Sequence, residues 1–218
     1  MHTLALLAAL ALGLAGTAAM ATEEPKFERI AQHDRIELRR YPPLIVAETF
    51  VSGDLDQASG KGFRILAGYI FGDNVTASPA LLDRPQPSEK IAMTAPVTME
   101  PLTDERQSGD APIDLPGSQR WRMHFVMPSH YTLSTLPKPN NPAVRLREVP
   151  ARIWAVLRYS GFNTQASIQE RTDELLAWLA ARNIRTVGSP QLARYNPPWT
   201  LPVFRRNEIL QEIEHPSN

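Results

Sequence analysis

Besides the carboxylates, histidine, methionine and tyrosine are the side chains of this sequence that can ligate a metal, because it contains no cysteine. That absence also removes thiol catalysis, disulfides, Fe–S clusters and a lipidated cysteine anchor. Beyond residue 21 the histidines are His33, His124, His130 and His215, and no pair has metal-site spacing. His33 opens a hairpin, His130 follows Pro128 in a turn, and His215 is in the tail. His124 alternates with Arg122 and Val126, which places it toward solvent. Tyr69 and Tyr195 can in principle bind a ferric ion, yet tyrosines in apolar stretches are more often structural. The sequence has no Ser/His/Asp motif, no H-E-x-x-H and no paired-carboxylate signature, so the expectation is a protein without catalysis.

Met93 is the remaining candidate, within "KIAMTAPV". Extended to Glu100, the segment alternates: Ile91, Met93, Ala95, Val97 and Met99 share one face, the polar and small residues the other. This pattern predicts one half-buried strand from Lys90 to Glu100, with Met93 as interior packing. Pro96 has no N–H for a sheet ladder, so an edge or a bulge is expected there.

Residues 1–21, "MHTLALLAALALGLAGTAAMA", carry no Asp, Glu, Lys or Arg and end with Ala19 and Ala21 in A-x-A spacing. They read as a signal peptide cut after Ala21, with the mature protein periplasmic or secreted and free of the membrane. The formal net charge is zero, which argues against nucleic acid or an anionic membrane as a partner. Residues 22–218 suffice for a single domain, expected to be a monomer.

The elements that must position any site come twice. "IELRRYPPLIVAETFVSGDLDQAS", from Ile36, aligns without gaps on "VRLREVPARIWAVLRYSGFNTQAS", from Val144. Leu38 falls on Leu146, Pro42 on Pro150, Ser52-Gly53 on Ser160-Gly161, and Gln57-Ala58-Ser59 on Gln165-Ala166-Ser167. Each copy, about 27–100 and 120–213, reads as an alternating strand, a Pro turn, a β-branched strand, Ser-Gly and an amphipathic helix. The first helix runs from Leu55 to about Phe71, with Asp54 as N-cap and Gly72 as stop; the second is capped by Thr164 and ends near Asn183. Strands follow each helix: Leu81–Leu82 and 90–100 in the first copy, 191–195 and 203–213 in the second. Twenty prolines argue against a long parallel βαβ series. The fold class is therefore α+β, a curved antiparallel sheet or barrel with two helices packed on it.

"KIAMTAPV" resembles the signature of the SOUL, or HEBP, haem-binding protein family. "IELRRYPPLIVAE", "VMPSHYTLSTLPKP" and "YNPPWTLPVFRRNEI" are similar to further segments of that family, in family order. The resemblance implies a duplicated βαββ-type module in a pseudo-twofold distorted antiparallel β-barrel flanked by two helices. It also implies reversible binding of haem or another tetrapyrrole, a carrier role without covalent chemistry. The groove would lie between the first helix (Gly60, Phe63, Leu66, Ala67, Ile70) and the loop before the last strand (Tyr195, Pro197, Pro198, Trp199, Thr200). Where family members carry basic and Met residues on that helix, this chain has Gly60, Phe63, Ala67 and Gly68; Lys61, Arg64 or Arg194 would have to meet acid groups. The alternatives are a tetrapyrrole-modifying enzyme and a non-haem small-molecule binding module.

Overall fold

Two runs of strand-forming residues separated by Pro42-Pro43 end up in opposite halves of one sheet. In the computed structural model, which describes residues 22–77, 87–102 and 119–214, β1 (Glu28–His33) turns through Asp34, in the left-handed region at φ 52°, into β2 (Ile36–Tyr41). After the two prolines comes β3 (Leu44–Ser52), which does not pair with β2. The expected segment 1–21, the Leu81–Leu82 strand, residues 103–118 between the copies and His215 all lie outside the described residues.

The helices form where their caps predict. Asp54 accepts a hydrogen bond from Gln57 N at 2.8 Å and opens α1 (Leu55–Ile70), and Thr164 accepts one from Ser167 N at 3.2 Å and opens α2 (Gln165–Ala180). Gly72, at φ +120°, ends the turn after α1 in a conformation other residues rarely adopt.

Between the helices lie β4 (Asn74–Val75), β5 (Val97–Pro101), β6 (Arg120–Val126), β7 (Lys138–Pro139), β8 (Arg145–Val149) and β9 (Arg152–Tyr159); β10 (Thr186–Arg194) and β11 (Asn207–Ile213) follow α2. Nine strands make one antiparallel sheet in the order β1-β2-β9-β11-β10-β5-β6-β3-β8, and β4 pairs with β7 in a separate ribbon. β1 and β8 each have a neighbour on one side only, so the sheet is open and the expected closed barrel is not formed.

Two further expectations are corrected. The 90–100 strand starts only at Val97, because the backbone ahead of it bonds elsewhere: Ile91 N donates to Ile70 O at 2.8 Å and Ala95 N to Glu23 O at 2.9 Å. Pro96 marks no sheet edge: β5 is flanked by β10 and β6, with Pro96 just ahead of its first ladder residue. Met93 packs, partly buried, against the core beneath α1.

Alternation along the strands sends one set of side chains toward the helices and the other to the opposite face. Beneath α1, Leu66, Tyr69 and Ile70 pack with Ala47, Val51, Met99, Met123 and Phe125. Beneath α2, Leu175 and Leu179 pack with Leu157, Tyr159, Leu192 and Ile209. A fully covered side chain of this kind contributes about 1.5–3 kcal/mol. Gly62 lets α1 lie close on β6: a Cβ there would fall 2.9 Å from Met123 Sδ and 3.3 Å from Met123 Cβ. Gly62→Leu is expected to lower stability by ~1–3 kcal/mol through overpacking, read as a lower urea midpoint with unchanged slope.

Candidate functional site

The loop that returns from β10 to β11 is held at its base by buried charge. Glu208, fully buried, accepts from Arg39 Nη1 at 2.9 Å and Nη2 at 3.1 Å, from Arg206 Nε at 3.0 Å and from the Tyr195 hydroxyl at 2.7 Å. Burial alone would raise the Glu208 pKa, but the hydrogen bonds and charge of Arg39, with Arg206 and Tyr195, hold it below the ordinary value. Burial, then the Glu208 charge, drives the Tyr195 hydroxyl pKa upward. Arg206 lies 3.7 Å above the Tyr195 ring and pairs with Glu24 at 2.8 Å. The backbone closes the same base: Tyr195 N donates to Arg206 O at 3.2 Å, and Arg206 N donates to Asn196 Oδ1 at 2.6 Å.

From that base the loop projects apolar side chains into solvent. Arg205 Nε and Nη2 donate to the carbonyls of Thr200 (2.7 Å) and Pro198 (2.6 Å), which organises the chain from within. Trp199 is 82% exposed, and Leu201, Val203, Phe204 and the nearby Phe162 are exposed as well. Phe162 belongs to this surface because Gly161 N donates to Pro202 O at 2.9 Å and Arg205 stands 5.9 Å from its ring. Large exposed apolar patches are uncommon on protein surfaces, which makes this loop a candidate interaction surface.

Helix α1 reaches the same region. Arg194, the last residue of β10, donates to Ser59 Oγ of α1 and contacts Met99 Sδ at 3.2 Å, joining the roots of the two sides. One turn further along α1, Phe63 is 40% exposed and tilts against Phe125 at 5.7 Å. Lys61 and Arg64 flank it and are exposed. Arg194 itself is turned inward, and burial lowers its pKa.

Of the residues named from the sequence, Phe63, Pro197, Pro198 and Trp199 are exposed, and Gly60 and Thr200 are partly exposed. Leu66 and Ile70 are core residues, and Ala67 is nearly covered. Tyr195 faces the polar interior through Glu208 rather than the loop surface. Leu201, Val203, Phe204 and Phe162 extend the loop's apolar surface beyond the residues named from the sequence, and 202–204 form a short 3-10 turn rather than the opening of the last strand; Phe71 is exposed at the C-terminal end of α1.

The opposite face of the sheet is polar. A cavity of about 100 Å3 there is walled by Arg122, His124, Arg147, Arg152, Trp154 and Tyr195 among others. A second, of about 280 Å3, lies between Glu23–Lys26, Pro42–Ile45 and Met127–Tyr131. Tyr195 is the one predicted groove residue that lines either. His124 corrects the expectation of a solvent-facing histidine: its Nδ1 is covered and without a hydrogen-bond partner. Burial, with the Arg122 and Arg147 charges, pushes its pKa down to about 3. His33 stacks on Trp178 at 5.4 Å and His130 on Tyr131 at 4.2 Å. Among the described residues no cluster of three or more His, Asp or Glu side chains is arranged to hold a metal, and no helix is long and apolar enough to cross a membrane.

Residues 22–212 match the family model of the SOUL heme-binding protein. The chain belongs to the SOUL family. No curated protein matches it in sequence. Among solved structures, the SOUL chain is similar to the C-terminal domain of EcmrR (12% identity, TM-score 0.56, covering 82% of this chain and 96% of that one). It is likewise similar to an uncharacterized conserved protein from Listeria innocua (11%, TM-score 0.55, 84% and 94%) and to a hydrolase from the same organism (12%, TM-score 0.52, 85% and 94%). At these identities the likeness is one of fold, an α+β arrangement of a mostly antiparallel sheet with two helices, which hosts many activities.

Two outcomes follow from the buried charges. Glu208→Gln leaves Arg39 and Arg206 without their countercharge and is expected to cost ~3–5 kcal/mol by denaturant unfolding. His124 stays neutral in the fold while the unfolded chain takes up a proton below about pH 6.5. Its contribution is complete above that value and is lost as pH falls toward 3, at up to about 1.4 kcal/mol per pH unit. His124→Gln should therefore flatten the decline in unfolding free energy between pH 6.5 and pH 5.

Proposed function

We propose that this SOUL protein is an exported monomer that reversibly binds haem or a related tetrapyrrole, without covalent chemistry and without nucleic acid as a partner. The observations that carry the reading are the exposure of Phe63 on α1 and of Trp199 and Phe204 on the β10–β11 loop, with Arg194, at the root of the loop, bonded to Ser59 of α1. A flat apolar ligand fits an open surface of this kind better than an enclosed pocket; neither cavity described above is lined by Phe63 or Trp199. Lys61 and Arg64, exposed on α1, would meet its acid groups. The described histidines are on other surfaces, so apolar contact would dominate the affinity and exchange would be rapid.

The aligned copies and the sheet order support a duplicated βαββ-type module. With β2 matched to β8, β3 to β9, β5 to β10 and β6 to β11, the sheet from β2 to β8 reads the same from either end. Export rests on the sequence of residues 1–21, and N-terminal sequencing of the protein from its host should begin at Thr22.

Haemin titration of residues 22–218 should give a saturable Soret shift with quenching of tryptophan fluorescence. Phe63→Asp and Trp199→Asp should each weaken binding at least tenfold; Trp199→Asp should move stability by less than about 0.5 kcal/mol, as surface changes do, and Phe63→Asp by more, because its ring packs against Phe125. Unchanged affinity in both variants would remove the α1–loop surface as the site.

A further inference from the structure

The polar cavity on the face away from the helices has a composition that the tetrapyrrole reading does not use. Its position follows from the pleat: Arg122 and His124 line it while Met123 and Phe125 pack beneath α1, and Gln191 and Leu210 line it while Leu192 and Ile209 pack beneath α2. Three arginines, Arg122, Arg147 and Arg152, stand in its wall, and no Asp or Glu does. Their countercharges lie on the same face of the sheet, two residues along from lining Val46, Thr98 and Leu210. Arg122 is paired with Glu100, Arg147 with Glu48 at 2.9 Å, and Arg152 with Glu212. Glu48 and Glu100 are buried.

These pairs do not exhaust the donors. Arg122 Nε is buried and has no hydrogen-bond partner, nor has Nδ1 of His124 beside it. A buried guanidinium N–H without an acceptor costs free energy that an anionic oxygen entering the cavity would recover. Apart from Thr98 and Gln191, the rest of the wall is apolar or aromatic, Val46, Val126 and Leu210 with Trp154 and Tyr41 among it. About 100 Å3 admits a carboxylate with a short apolar body and excludes a porphyrin, since sites for drug-sized ligands run to ~300–1,000 Å3.

We propose that this cavity is a second binding site, separate from the α1–loop surface, for a compact monocarboxylic acid carrying an aromatic or branched apolar body. The carboxylate is held by Arg122 with Arg147, and the body rests against Trp154 and Val126. Lysines would serve less well, because a planar guanidinium donates in a fork that matches a carboxylate.

Benzoate is the probe, with benzamide as its neutral counterpart, added to isotopically labelled residues 22–218 and followed by NMR. The expected result is saturable benzoate shifts confined to Thr98, His124, Trp154 and Gln191, and binding of benzamide at least tenfold weaker. His124→Phe, which fills the cavity without unpairing a charge, should abolish the benzoate shifts. Val46→Phe, narrowing it from another strand, should do the same if His124→Phe does not fold. Phe63→Asp should leave benzoate binding intact, so loss of haemin binding and loss of benzoate binding are separable. Equal binding of benzamide, shifts centred on α1 and Trp199, no saturable shift at all, or benzoate binding retained in the folded cavity variants would each overturn the proposal.

Discussion

The carboxylate of Glu208 is the constraint around which the exposed loop and the N-terminal half of the sheet are organised. It lies on β11 with no exposure, one strand away from β9 and two from β2, and Arg39 of β2 reaches across to it with both terminal nitrogens. Arg206 and Tyr195 bind the same carboxylate from the two ends of the β10–β11 loop. Ion pairs this deep add little net stability compared with apolar packing, because two charges must leave water. What they add is specificity. A slip of β2 by one residue would turn Arg39 to the helix side and strand Glu208, so register and loop closure are enforced together.

That enforcement explains how an apolar loop can stay exposed without collapsing onto the sheet. Its side chains cannot reach inward, because the ground beneath the loop is already filled by Tyr195, Arg206 and Glu208, and Arg205 holds its carbonyls at 2.6–2.7 Å. The sheet thus separates two kinds of surface. Helices and apolar cores cover one face; arginines, glutamates and His124 fill the other, each strand contributing to both through its alternation. The two proposed sites therefore draw on opposite faces of one sheet.

Much of this was legible because local chemistry and global packing agree. Asp54 and Thr164 are short acceptors placed ahead of amphipathic stretches, and both cap their helices at the expected residue. The strand from Lys90 to Glu100 misled, since the alternation is unbroken in sequence while Ile91 and Ala95 give their backbone N–H groups to Ile70 and Glu23 rather than to the sheet. Closure into a barrel could not be read either: β1 and β8 are strands in every local respect, and only tertiary pairing decides whether they meet. His124 was taken as solvent-facing because charged residues on alternate strand positions ordinarily face water. Here they face one another, in the pairs Arg147–Glu48, Arg122–Glu100 and Arg39–Glu208, and spacing within a single strand does not carry that information. The groove residues split for a related reason: Leu66 and Ile70 share the helix face toward the sheet, whereas Phe63 lies at its margin.

The asymmetry of the two helices bears on where a tetrapyrrole would bind. In the alignment of the copies, Phe63 falls on Arg171 and Gly60 on Ile168. Arg171 pairs with Glu174 at 3.1 Å and Glu170 at 3.4 Å, and α2 carries Glu170 and Asp173 on its exposed side. A flat apolar ligand laid there would have to strip water from these charges without repaying them. On α1 the corresponding surface is Gly60, Phe63 and the margin of Ala67, where small residues permit close approach and one aromatic ring supplies contact. The charges on α2 and the small residues and Phe63 on α1 thus set the two helices apart, and the proposed tetrapyrrole site belongs to α1 alone.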